Sequence, residues 1–138
     1  MLQLEHSVLI DSKREDIWKI LIDVEGWKLW DRDVKLSQLQ GDFAIGTKGI
    51  LVSIDNKSSI FFITDIKEFC YYKNYYQYPF FTKLNFTHKI ESVSNMCKVT
   101  FLAKFTGPLS WYFLFEQKKT IQSVMQRAMA HLIIMCKK

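Results

Sequence analysis

Proline and glycine are scarce in this chain of 138 residues, with two of the former and five of the latter. That scarcity excludes low-complexity linkers. Cysteine is also sparse. Cys70, Cys97 and Cys136 are odd in number, widely spaced and form no CxxC. Neither a secreted disulfide framework nor a cysteine-based metal or redox motif is expected from them. No apolar stretch approaches the roughly 18 residues of a spanning helix. The segment MLQLEHSVLIDSKRED carries Glu5 and His6 early and lacks a long apolar run, so it does not read as a signal peptide. A reducing cytoplasm is the expected location. GxSxG, HExxH, P-loop and GxGxxG motifs are all missing, as is any internal repeat. No standard nucleophile, metal or phosphate site is therefore expected.

What is abundant is aromatic. Hydrophobic residues make up 49% and charged residues 24%, which is a globular composition, and aromatics reach 15% with eleven Phe and six Tyr. The length fits one domain, residues 1–138, which buries about two-thirds of its unfolded surface. The net charge of +5 invites an anionic partner. However, the basic residues are scattered, mostly lysine, and never run beyond two in a row. That distribution speaks against nucleic acid and leaves room for transient contact with a membrane.

Periodicity divides the chain. In LQLEHSVLI, Leu2, Leu4, His6, Val8 and Ile10 share one face, as in a half-buried strand. A short helix follows. Asp11 or Ser12 is its expected cap, Ser12 and Glu15 fit a capping box, Ile17, Trp18, Leu21 and Val24 form its apolar stripe, and Gly26 is its expected end. WKLWD allows one further turn. Strands are then expected at VKLSQLQG, IGTKGILVSIDN, SSIFFITDIKEF, CYYKNYYQYPFF, TKLNFTHKIESV and MCKVTFLAKFTG, with a turn at Asp55-Asn56. After Gly107-Pro108 the period changes. Pro108 is expected at the first helical position, Thr106 and Ser110 as capping groups, and a long helix from 109 to about 136. Leu114, Ile121, Met125, Ala128, Leu132 and Met135 form its stripe. A coiled-coil dimer is the competing reading of that stripe. Antiparallel strands with helices set apart give an α+β fold.

This order of elements resembles the helix-grip fold of the START/birch-pollen-allergen-like (SRPBCC) superfamily, and within it the polyketide cyclase/dehydrase-like group. The resemblance is carried by HSVLIDSKREDIWKILIDVEGWKLW, by LQGDFAIGTKGIL and by FTGPLSWYF, and covers nearly the whole chain. It implies a curved antiparallel sheet of six to seven strands around the C-terminal helix, with two short helices after the first strand. It also implies that Trp27 and Trp30 close one open end of the sheet, either by packing alone or by touching a ligand.

Such a sheet is too wide for one helix to fill. Its expected lining is Tyr72, Tyr76, Phe86, His88, Phe101 and Phe105, with Trp30 at the end. A mostly apolar hollow with a few polar groups suits a small hydrophobic ligand, and the resemblance implies a lipid, sterol, quinone or polyketide. A carrier is the leading reading. A cyclase, aromatase or dehydratase using His88, His6 or the tyrosines is the second, since imidazole titrates near neutrality. A protein-interaction module using the helix or a Trp27/Trp30 surface is the third. No metal and no cofactor are expected. His6, His88 and His131 show no zinc-type spacing, and Asp31, Arg32 and Asp33 read as a solvated loop. Ligand identity and oligomeric state stay open.

Overall fold

The computed structural model describes residues 3–136. The elements are β1 (Gln3–Ile10), α1 (Arg14–Ile22), a 3₁₀ helix (Val24–Leu29), β2 (Val34–Leu39), β3 (Lys48–Ser53), β4 (Ser58–Lys67), β5 (Tyr71–Tyr78), β6 (Thr82–Val93), β7 (Met96–Thr106) and α2 (Ser110–Cys136). The seven strands form one antiparallel sheet in the order β1-β7-β6-β5-β4-β3-β2. The expected α+β, helix-grip arrangement is what the chain adopts. A curved sheet grips α2, which packs against β1 and β7.

The strand pattern follows from alternation. Leu84 and Ile90 of β6 and Val99, Phe101, Ala103 and Phe105 of β7 are buried, whereas Lys104 and Thr106 are exposed. The register sets inward residues side by side. Tyr72 pairs with His88, His88 with Phe101, and Phe101 with His6, a row across four strands. Alternation fails at two places that the residue pattern does not announce. Irregularities between Val34 and Leu36 and between Ile63 and Asp65 shift the β2–β3 and β4–β5 pairings.

Gly49 lies opposite Phe61 across β3 and β4. A Cβ at Gly49 would sit 2.2 Å from the Phe61 ring. The bare glycine lets that ring lie over β3, wholly buried, 5.4 Å from the Trp27 ring centroid.

The stripe of α2 is used within the chain. Ile121, Met125, Ala128 and Leu132 are buried against the sheet, joined by Met129. The helix therefore spends its apolar face on its own strands, which removes the coiled-coil reading of the stripe. Trp27 and Trp30 are buried too, at 6% and 4% exposure, so they offer no surface patch to a protein partner.

Several local expectations change. Lys13 is the residue flanking α1, with no side-chain cap. Ser12 instead donates from Oγ to the Cys136 carbonyl at 2.9 Å, so it satisfies the far end of α2 and not the near end of α1. Gly26 lies inside the 3₁₀ helix and α1 ends at Ile22. Pro108 lies in the turn before α2, which begins at Ser110. There the backbone N–H of Leu109 donates to Thr82 Oγ1, while Thr106 Oγ1 accepts from Asn85 Nδ2.

Candidate functional site

Between the inner face of the sheet and the middle of α2 lies a half-enclosed cavity of about 140 Å³. Its floor is the paired row of Tyr72, His88 and Phe101, extended by Tyr76, Phe86 and Leu51. Ile121, Val124, Met125 and Ala128 of α2 form its roof, and Thr120 stands at the exposed rim. Trp27, Trp30 and Asp31 close the end next to the 3₁₀ helix. All the expected lining residues are therefore brought together except Phe105. That ring shares the inward face, but it packs against Tyr78 and Phe113 at 5.3 and 6.3 Å and is not in the lining.

The end wall is built by hydrogen bonds to α1. The last carbonyls of a helix have no partner within it. Leu21 O accepts from Trp27 Nε1 at 2.9 Å and from Tyr72 OH at 3.3 Å. One orphan carbonyl thus holds both the indole and the phenol that border the cavity. Trp30 has no such partner. Its ring packs on Phe101 at 6.1 Å, and its buried Nε1–H is unbonded. Buried donors without partners are uncommon.

His88 is enclosed by rings. Tyr72 stacks flat on it at 4.3 Å, Phe101 meets it edge-on at 4.9 Å, and Phe86 lies at 6.0 Å. Burial pushes its pKa down to about 3, against a weaker backbone contact from Tyr72 that raises it. The imidazole is neutral at physiological pH, so the expectation that it titrates near neutrality fails. Its Nδ1 also lacks a hydrogen-bond partner. Burial likewise lifts the Tyr72 hydroxyl well above its ordinary range.

Within Asp31-Arg32-Asp33, expected as a solvated loop, Arg32 is exposed and Asp33 partly so, but Asp31 departs from that reading. Its backbone N–H bonds back four residues to Trp27 O at 2.8 Å, an α-type turn that follows the 3₁₀ helix. That turn sets the carboxyl in the cavity wall. Burial raises its pKa from 3.8 to about 6. A hydrogen bond from the Asp33 N–H to Oδ1 at 3.1 Å lowers it, the Asp33 charge raises it, and Arg127 and His131 lower it. Arg127 itself is paired with Asp33 at 2.9 Å. Sequence reasoning missed Asp31 because a charged triplet resembles a solvated loop; the Trp-Asp step after a glycine was the available signal. His6 is half-buried beyond Phe101 and outside the lining, and His131 Nδ1 lies 2.8 Å from Arg127 O. Among the described residues no three His, Cys, Asp or Glu side chains cluster as metal ligands would.

No protein-family profile matches this sequence, and no curated protein matches it. Solved structures do match. Protein NE0264 from Nitrosomonas europaea superposes with a TM-score of 0.78 at 10% identity, over 99% of this chain and 94% of that one. The di-domain ARO/CYC BexL from the BE-7585A biosynthetic pathway gives 0.77 at 14% identity, over 96% of this chain and 45% of BexL. Ara h 8.0201 gives 0.69 at 15%, over 95% of this chain and 97% of that one. Likeness at these identities is likeness of fold. The fold is the helix grip. Ara h 8.0201 and BexL share that fold with this chain. No helix among the described residues is long and apolar enough to cross a membrane.

Proposed function

We propose that the chain binds a small, mostly apolar, ring-shaped molecule between the sheet and α2, as a carrier. The observation that carries this reading is the cavity of about 140 Å³ walled mostly by aromatic and aliphatic side chains, with the Trp30 indole, the Asp31 carboxyl and the His88 imidazole in its lining. An apolar protein cavity of about 150 Å³ holds benzene. One ring therefore fits with α2 where it is. A lipid, a sterol or the tail of a quinone or polyketide needs α2 to move outward or must leave past Thr120. The polar groups narrow the choice further. The Trp30 N–H needs an acceptor, and the Asp31 carboxylate and neutral His88 can take a donor. A phenol or enol offers both. Transient contact with a membrane, as a source of apolar ligand, belongs to the same reading.

Native mass spectrometry of the purified chain, followed by extraction of what co-purifies, tests the carrier. A co-purifying hydroxylated ring is the expected result. A ligand-free chain that also fails to bind p-cresol would overturn it.

One observation favours a second reading, a cyclase-type enzyme, which the likeness to BexL also supports. Asp31 lies in the cavity with a pKa of about 6, in the range for passing a proton near neutrality. Turnover of a polyketide-like substrate that is unchanged in Asp31→Asn would remove this reading.

A further inference from the structure

Five large aromatic side chains are exposed at one end of the molecule, away from the cavity. Phe80 and Phe81 form the β5–β6 turn and are 70% and 92% exposed. Trp111, Tyr112 and Phe115 lie on the first turns of α2 at 71%, 59% and 90%. The two elements meet. A Cβ on Gly107, just before α2, would lie 2.6 Å from the Phe81 carbonyl, and Leu109 N donates to Thr82 Oγ1 at 3.3 Å. Tyr78 and Phe113 pack beneath at 4.9 Å. Phe80 and Phe81 hold φ of 59° and 60°. That left-handed conformation is costly for bulky residues, yet here it presents two rings to solvent and not to a core. Contiguous exposed apolar surface of this kind marks an interaction site.

The charges nearby indicate what covers it. Lys118 and Lys119 are exposed and stand seven residues after Trp111 and Tyr112, on the same side of α2. Seven residues of helix span about 10 Å. Interfacial segments sink about 5–10 Å into a bilayer, so the ammonium groups come to headgroup depth when the rings enter the acyl boundary. Lys83 flanks the turn from β6 and is exposed. Glu116 is the one acidic residue between Trp111 and Lys119. The chain carries a net +5.

We propose that this end of the molecule, formed by Phe80, Phe81, Trp111, Tyr112 and Phe115 with Lys118 and Lys119 behind them, docks on an anionic lipid bilayer. The inference deepens the carrier reading by naming the surface through which cargo is exchanged, and it stands on different side chains from the cavity. The cavity rim at Thr120 adjoins Lys119, so a docked molecule would hold the mouth of the cavity near the lipid.

Vesicle co-sedimentation of the intact chain tests it, with phosphatidylcholine alone and with an equimolar mixture with phosphatidylglycerol. Trp111 gives a second readout, because Trp18, Trp27 and Trp30 are buried. Its emission shifts to the blue on docking and is quenched by brominated acyl chains. Binding is expected to the mixed vesicles and to weaken with salt. The double variant Phe81→Ser/Phe115→Ser should lose about tenfold or more in partitioning. Lys118→Gln/Lys119→Gln should lose about tenfold on the anionic vesicles only. All four side chains are exposed, and p-cresol binding measured in parallel reports an intact fold and cavity. The proposal is overturned by absence of binding to either vesicle, by binding that the Phe variants leave unchanged, or by a dimer in solution that the Phe variants dissolve. A wild-type chain that binds p-cresol but sediments with neither vesicle would sink this inference alone. Docking without any cavity binding would sink the carrier alone.

Discussion

The ring of Tyr72 lies flat on the imidazole of His88, with centroids 4.3 Å apart and planes 14° from parallel. The contact joins β5 to β6 and makes the floor of the cavity. It also fixes the charge of His88, because an imidazolium there would lose its water without gaining an anion.

His88 and Asp31 set opposing pH dependences. His88 has its pKa lowered from 6.5 to about 3, so between those values the unfolded chain binds a proton that the folded chain does not. Its contribution to stability is lost as pH falls from 6.5 toward 3. Asp31 is raised from 3.8 to about 6, so in that window the folded chain holds the extra proton. Its contribution is lost as pH rises from 3.8 to 6. Within the overlap the two slopes cancel. Denaturant titrations of wild type should show little dependence on these groups between those limits. Asp31→Asn should uncover a steady loss of stability on acidification below 6.5. Equal profiles for the two proteins would contradict the assignment.

At neutral pH, Asp31→Asn should be more stable than wild type by about 1–3 kcal/mol, because a partly buried carboxylate is replaced by a neutral group. The Asn oxygen can still accept from the Asp33 N–H. Urea midpoints at pH 7.5 check this. A midpoint lower than wild type would mean that the carboxylate is stabilised by its neighbours.

Trp30→Ala should cost about 3–5 kcal/mol, since a buried ring packed on Phe101 is removed. Trp30→Phe keeps most of the packing but not the N–H. It should cost less in stability while weakening a ligand that bonds to Nε1. Thermal melts and probe titration of the pair separate packing from recognition. An Ala variant as stable as wild type would place the ring at the surface.

Gly49→Ala should destabilise by about 1–3 kcal/mol through overpacking. Its Cβ would lie 2.2 Å from the Phe61 ring. Gly49→Ala combined with Phe61→Leu should recover part of that loss, as coupled neighbours do. A neutral single variant in thermal melts would show that the Phe61 ring is free to move.

Much of this is legible in the sequence. Period-two alternation placed Tyr72, Tyr76, Phe86, His88 and Phe101 on one face, and period 3.6 placed Ile121, Met125 and Ala128 opposite them. Parity does not say how far along a strand a cavity extends: Phe105 shares the inward face yet packs with Tyr78 and Phe113. Asp31 is not legible because its placement depends on a backbone bond to Trp27 O, four residues back, just past a short 3₁₀ helix. Ser12 looked like a local cap because its partner, Cys136 O, is 124 residues away. Long-range partners of this kind leave no local pattern.

The most direct test of the cavity is an NMR titration with p-cresol, following the indole N–H signals and the methyl groups of Met125, Ile121 and Ala128. A hydroxylated ring seated as proposed should give saturable, one-to-one shifts, largest at Trp30 Nε1–H and those methyls, with Trp111 unmoved. Shifts that never saturate, or that centre on Trp111 and leave Trp30 in place, would contradict a ligand held between the sheet and α2.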